Sequence, residues 1–426
     1  HRTIRETIDW SFRLLSSDEQ TLLSRLSVFG GGFSLAAASA VCGDDCDVLT
    51  DLSALVDKSL VVAGGGRYRL FDTVRQFAAE KLAQSGERGA VRERHAHHFV
   101  TLIERSERRI YAGAVDQGVL AMIDEEIENL RLLFDWTGED PSRVEMELRL
   151  LWAIHWYWFA RGHFHEARRR ITKGIERMHT AVDPVVRARA LVAAGNAAVW
   201  QGDWNALRPA VDEAADILRP TTNLRAFANA LLLLGCAHAF AEDDHAAAAE
   251  AFRSAEDVAR RNGRNVALAL TLYWSGIAAV LRGDAEEARR AFDETRQIGA
   301  EQRNLPALGH GATMLALGEL HEKNYEGAIA HLRVALDAHS ESGDRYGLTQ
   351  TVEGVGLLLL EVGDAEIGTR LLAAATAAWL QLGGATRRDG QPLIERPHLH
   401  DALCGHLGLV QLDALGAGGF HRLEHV

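Results

Sequence analysis

An interval constrains this chain more than any other feature. An apolar helical pattern breaks at Gly162, Gly202, Glu242, Gly283, Lys323 and Gly363, a period of roughly forty residues. Seven residues before each break stands His155, Gly195, Gly235, Gly276, Ala316 or Gly356, and five residues after it Ala167, Leu207, Ala247, Ala288, Ala328 or Gly368. Small residues recurring at fixed offsets mark stacked helical hairpins, because a side chain larger than alanine at a close helix crossing pushes the two backbones apart. Six helical pairs are therefore expected, stacked into a solenoid whose first helices line a concave face.

The rest of the composition narrows the class. At 426 residues the chain has room for a repeat array plus one or two further domains. Hydrophobic residues make up 47% and charged residues 25%, and prolines number seven, which suits a helix-rich, well-packed protein. The formal net charge of −13 argues against a nucleic-acid surface, since phosphate neutralisation needs clustered Lys and Arg. Cys42, Cys46, Cys236 and Cys404 lack both a disulfide framework and the paired spacing of a zinc finger, so no metal is expected. No apolar run reaches the ~18 residues of a membrane span, and a reducing cytoplasm is the expected compartment. The chain opens at His1 directly into an amphipathic pattern, as a segment cut from a longer protein does.

Residues 1–85 read as a winged helix. Ile4, Ile8, Phe12 and Leu15 form a helical stripe, Ser17 and Gln20 a capping box for a second helix, and Ser34 a cap for a third. Asp47 opens a fourth helix. Leu60-Val61-Val62 and Tyr68-Arg69-Leu70, separated by Gly64-Gly65-Gly66, read as a β-hairpin. Asp72 is expected to cap a closing helix.

Thr3-Ile4-Arg5-Glu6-Thr7-Ile8-Asp9-Trp10-Ser11, Leu26 to Ser34, Leu55 to Val61 and Tyr68 to Ala78 occur in the order seen in one family. The chain resembles the winged-helix plus tetratricopeptide-repeat region of bacterial signal-transduction ATPases, the LuxR-type and SARP-like transcriptional regulators of actinobacteria. The resemblance implies a mainly α fold: a winged-helix domain with a small β-hairpin (1–85), a helical linker (86–140), tetratricopeptide-like repeats (141–380) and a C-terminal helical cap (381–426). It also implies a nucleotide-binding domain of the parent protein as a partner of the winged helix. The family's Met-His-Asp motif falls on Leu70, Phe71 and Asp72, and Phe71 cannot donate a hydrogen bond to a nucleotide phosphate. Arg75 and Lys81 are the only cations on the closing helix, so direct nucleic-acid binding by this part is not expected.

His95, His97 and His98 begin the linker. Positions 95 and 98 share a helix face without a completing carboxylate, which reads as a solvated helix start. In the repeats, taking the small residues as the close-packed positions places Arg149, Trp152, Trp156, Phe159, Arg189, Asn196, Asn229, Tyr273, His310 and Gln350 on the concave face by helical spacing. That face has an apolar floor and a polar edge, the composition of a binding groove. A slip of one residue in phase would turn the same side chains into core.

No phosphate-binding loop, nucleophile elbow or His-Glu-x-x-His motif occurs, so neither an enzyme nor a bound cofactor is expected. The leading expectation is a regulatory fragment that senses a small apolar molecule, a peptide or a partner protein in the groove. A free-standing scaffold without a switch is the alternative, and an unrecognised enzyme using the aromatic groove is a third.

Overall fold

The interval in the sequence becomes a repeated turn in space. The computed structural model describes residues 2–43, 47–111, 117–179, 181–204, 207–263 and 266–382. Among these, the repeats are the helical pairs α8 (Val144–Arg161) and α9 (Phe164–Glu176), α10 (Pro184–Gln201) and α11 (Leu207–Leu218), and α12 (Leu224–Phe240) and α13 (His245–Arg261). They continue as α14 (Val266–Leu281) and α15 (Ala285–Gln302), α16 (Leu305–His321) and α17 (Tyr325–Ser342), and α18 (Arg345–Glu361) and α19 (Ala365–Leu382). The residues of the C-terminal cap beyond Leu382, together with Cys46 and Cys404, lie outside the described residues. No described helix is long and apolar enough to cross a membrane.

A left-handed residue follows each first helix, and in the third to sixth pairs the next residue, Asp244, Asp284, Asn324 or Asp364, caps the second helix. At Gly283 (φ 77°) the N–H of Asp284 bonds back to the Ala279 carbonyl at 2.9 Å, and the Asp284 side chain then caps α15. Lys323 (φ 59°) and Asn324 repeat the arrangement without glycine, so the following cap matters as much as the turn residue. The third rung corrects the ladder. The left-handed residue is Asp243, not Glu242, and the buried small residue that follows is Ala248, not Ala247. One extra residue sits in that turn, while Gly235 keeps its place in the crossing.

The small residues hold the crossings as expected. A Cβ at Gly235 would lie 2.7 Å from the Phe252 ring, at Gly276 2.5 Å from Phe292, and at Gly195 2.8 Å from Leu233. Aromatic rings from the second helices occupy the space that the missing side chains leave.

The chain divides into two compact units, one of His1–Arg108 with Asp116–Ala153 and the other chiefly from Ile154 onward, the division falling within α8. The first unit begins with α1 (Arg2–Arg13), α2 (Ser17–Leu26), α3 (Leu35–Cys42) and α4 (Val48–Asp57). The strands β1 (Val62–Gly64) and β2 (Arg67–Arg69) form an antiparallel hairpin closed by Gly65 and Gly66, both at positive φ. That two-residue turn needs left-handed backbone at both positions. Helices α5 (Asp72–Ser85), α6 (Arg88–Tyr111) and α7 (Gln117–Gly138) follow.

Three local expectations shift. The capping box is Ser16 with Glu19, one residue before the expected pair, and Gln20 instead donates to the carbonyls of Phe12 and Leu15. Asp72 is the first helical residue rather than the cap; the cap position is Phe71, and Asp72 pairs with Arg75 at 3.3 Å. The Gly30-Gly31-Gly32 run does more than end a helix. Buried Asn129 of α7 accepts from the Gly30 N–H and donates to the Gly32 carbonyl, both at 2.9 Å. A Cβ at Gly30 would lie 2.7 Å from Leu132, so α7 reaches that backbone only over glycine. Arg67 of the hairpin adds a bond to Glu126 at 2.7 Å.

The solvated reading of the histidines fails at His95, which is buried with its ring centroid 4.6 Å from that of Phe99 and 5.4 Å from that of Phe29. Burial pushes its pKa down to about 3, with the His98 charge adding in the same direction. His97 is exposed and His98 half-buried.

Two expectations follow. Gly276→Ala should lower stability by about 1–3 kcal/mol through overpacking against Phe292. Gly318→Ala, where a Cβ meets nothing within 4 Å, should raise it by up to about 1 kcal/mol through helix propensity. Urea unfolding midpoints check both signs. For His95, the unfolded chain takes up the proton before the folded one does. Its contribution is therefore complete above pH 6.5 and lost as pH falls toward 3, by ~1.4 kcal/mol per pH unit. Between pH 7 and pH 5, His95→Phe should lose about 2 kcal/mol less stability than the parent chain; equal losses would show that His95 is not the group responsible.

Candidate ligand-binding interior of the repeats

The first helices deliver aromatic and polar side chains to one interior. Phe159 of α8 stacks on Trp200 of α10 at 3.9 Å between ring centroids. Trp200 meets Tyr346 of α18 edge-on at 5.0 Å, and Tyr346 meets Trp379 of α19 at 4.8 Å. A second branch runs from Trp200 to Trp274 of α14 at 5.4 Å, and Trp274 abuts Phe240 of α12 and Trp204, which themselves lie 4.7 Å apart. Offset and edge-on pairs of this kind contribute about 0.5–1.5 kcal/mol each beyond their burial.

The chain of rings closes the array. Phe164 of α9, Tyr346 and Leu382 form one buried cluster, with Phe159, Trp200 and Trp379 half-buried at its rim. The first helical pair thus packs against the last. Gly162, at the first break, permits it: a Cβ there would collide with Leu382. Behind Phe159 and Trp200 lies a void of about 20 Å³, bounded also by Asn196 and Gln201, room for about one water.

Polar residues join the same interior. The Gln350 amide donates to the Tyr273 hydroxyl at 3.2 Å and lies 3.8 Å from the Met314 sulfur. The Tyr273 and His310 rings are 5.3 Å apart. His310 Nε2 and His339 Nδ1 lie 3.0 and 3.4 Å from the same Asp344 oxygen. Burial works against the Asp344 charge, but the two imidazoles outweigh it and hold the carboxyl well below its usual range. Burial also pushes His339 below the usual histidine value, against the pull of Asp344.

The expected groove residues fall into three groups. Phe159, Tyr273, His310 and Gln350 are brought into the interior network just described. Trp152, Trp156 and Asn229 are buried, and the Asn229 Oδ1 has no hydrogen-bond partner. Arg149, Arg189 and Asn196 are occupied locally. Arg149 pairs with Glu104 of α6 at 2.8 and 3.0 Å, Arg189 faces the Asn223 amide, and Asn196 donates to the Val192 carbonyl of its own helix.

Sequence spacing did not mark Trp200, Trp204, Phe240, Trp274, Tyr346, Trp379, His339 or Asp344. Trp274 adjoins a marked position, Tyr273, so a stripe two residues wide would have found it. A cavity of about 180 Å³ in the first unit, among Arg75, Arg92, His95, Leu132 and Trp136, is smaller than the about 300–1,000 Å³ of ordinary ligand pockets.

The winged helix-turn-helix domain family matches residues 15–83. A protein of Mycobacterium tuberculosis named as an HTH-type transcriptional regulator is 33% identical over 405 residues, covering 91% of this chain and 45% of its own length; its Mycobacterium bovis counterpart matches equally. The chain therefore spans less than half the length of these relatives. A second, uncharacterised M. tuberculosis protein is 45% identical over 107 residues, 23% of this chain and 27% of that protein.

Among solved structures, a Pyrococcus horikoshii signal-transduction ATPase with a tetratricopeptide repeat sensor aligns with a TM-score of 0.50 at 15% identity. The alignment covers 95% of this chain and 65% of that one; at this identity it speaks for the fold. Residues 15–83 match the winged helix-turn-helix domain family, and the chain is similar in sequence to HTH-type transcriptional regulators of mycobacteria and in fold to a signal-transduction ATPase with a tetratricopeptide repeat sensor.

Proposed function

We propose that the repeat unit is the sensor of a transcriptional regulator, and that a small apolar molecule, a peptide or a partner protein docks on the aromatic lining of its interior. The observation that carries this reading is the group of half-buried rings, Phe159, Trp200, Trp204, Phe240 and Trp379, which helices far apart in sequence bring together. Large aromatic surfaces left partly open to water are what an apolar occupant gains by covering. Arg168 of α9, paired with Asp203 at 2.6 Å, and Arg208 of α11, paired with Glu242 at the same distance, supply polar groups beside the neighbouring turns.

The switch needs two packings with different affinity for the occupant. The packing described here is closed, with Tyr346 seated among Phe159, Phe164 and Trp200. An occupant that inserts beside Trp200 favours an opened packing. Three ring contacts amount to a few kcal/mol, and an occupant that binds only the opened packing shifts the balance by about 2.7 kcal/mol at one hundred times its Kd and about 4.1 kcal/mol at one thousand times. In this reading the receiver of the signal is a nucleotide-binding domain of the parent protein.

Candidate metabolites and peptides can be titrated against the chain while tryptophan emission is followed. A true occupant should give a saturable change whose affinity falls about tenfold or more in Trp200→Ala or Trp204→Ala and is unchanged in Trp10→Ala, on exposed α1. Saturable binding that survives both interior substitutions would remove the interior from the sensing role.

A further inference from the structure

We propose that His310, His339 and Asp344 form a binding site for a divalent transition-metal ion of the zinc class, clamping α16, α17 and α18 together. The inference is independent of the sensing role. The three residues come from consecutive elements: His310 from α16, His339 from the last turn of α17, and Asp344 from the cap position of α18. One ligand atom from each lies within 4.8 Å of the other two.

The spacing fits an ion at the centre. Zinc bonds to nitrogen and oxygen of about 2.0–2.1 Å place neighbouring ligand atoms of a tetrahedron about 3.3 Å apart. The observed separations from the Asp344 oxygen are 3.0 Å to His310 and 3.4 Å to His339. At those distances hydrogen bonds would be expected, yet neither imidazole nitrogen and not this carboxylate oxygen makes one. Atoms that converge without pointing along one another's bond directions have the arrangement of ligands around a common point. The donor set of two imidazoles and a carboxylate suits zinc and its neighbours in the first transition row.

The site is also built. The three side chains are 6%, 0% and 2% exposed, in the order His310, His339 and Asp344. The second Asp344 oxygen accepts from the Gly347 N–H at 3.0 Å, which fixes the carboxylate while leaving its other oxygen for the ion. A Cβ at Gly309 would lie 2.5 Å from the His339 ring, and one at Gly347 would collide with the same ring. Two glycines on adjoining helices therefore make the slot that holds this imidazole. Burying polar atoms with no partner costs about 1–3 kcal/mol each, a cost that coordination offsets for three of them. Three protein ligands leave a fourth tetrahedral position for water.

The test uses the full chain, stripped with a chelator, reloaded with zinc chloride and passed through gel filtration before metal analysis. About one zinc per chain is expected, with the melting temperature raised by loading. Cobalt chloride in place of zinc should give the visible absorption of a tetrahedral site. Asp344→Asn, which retains a capping oxygen, and His310→Gln should weaken binding by at least about tenfold. His238→Gln, whose ring pairs with Glu242 elsewhere, should leave it unchanged. Failure of the parent chain to retain zinc and to colour with cobalt would overturn the proposal whatever the variants do, as would full retention in a folded Asp344→Asn or His310→Gln.

Discussion

The contact between the first and last helical pairs is what the rest of the repeat unit depends on. A solenoid of helical pairs meets only its neighbours, so its stability is a sum of local interfaces. Here Tyr346 reaches Phe159, Phe164 and Trp200 across nearly the whole array, while Leu382 lies against the bare backbone of Gly162. This long-range contact turns the concave face into an interior. It also explains why that interior is mostly rings. Large, rigid side chains that meet edge-on reach across the distance between helices of distant repeats.

Much of the fold was legible because its signals are local. The small crossing residues and the breaks between helices recur at fixed offsets, and each has one dominant physical reason. Asp243 shows the limit of that legibility. An extra residue in a solvent-facing turn leaves the apolar periods on either side intact, so periodicity alone cannot say which residue carries the turn. Ser16 and Asp72 show the same limit at helix starts, where adjacent residues compete for one capping geometry.

The interior was legible only in part, because its geometry depends on superhelical pitch. Phe159, Tyr273, His310 and Gln350 were marked by their place on the first helices, and the last three do converge. Their convergence across several repeats, with Gln350 bonding to Tyr273, was not visible in any single repeat. Arg149 was marked by the same rule, but Glu104 holds it. His339 and Asp344 were invisible for a different reason. One sits on a second helix and the other reads as an ordinary cap, and only the pairing of α17 with α16 and α18 makes them neighbours of His310.

The account stands or falls on that closure, and a double-mutant cycle measures it most directly. Trp200→Ala, Tyr346→Ala and the double variant can be compared by urea unfolding of the repeat transition. Residues so far apart in sequence couple only if the array closes. The closed interior predicts a coupling of about 0.5–1.5 kcal/mol; strictly additive effects would mean that the first and last pairs do not meet in solution.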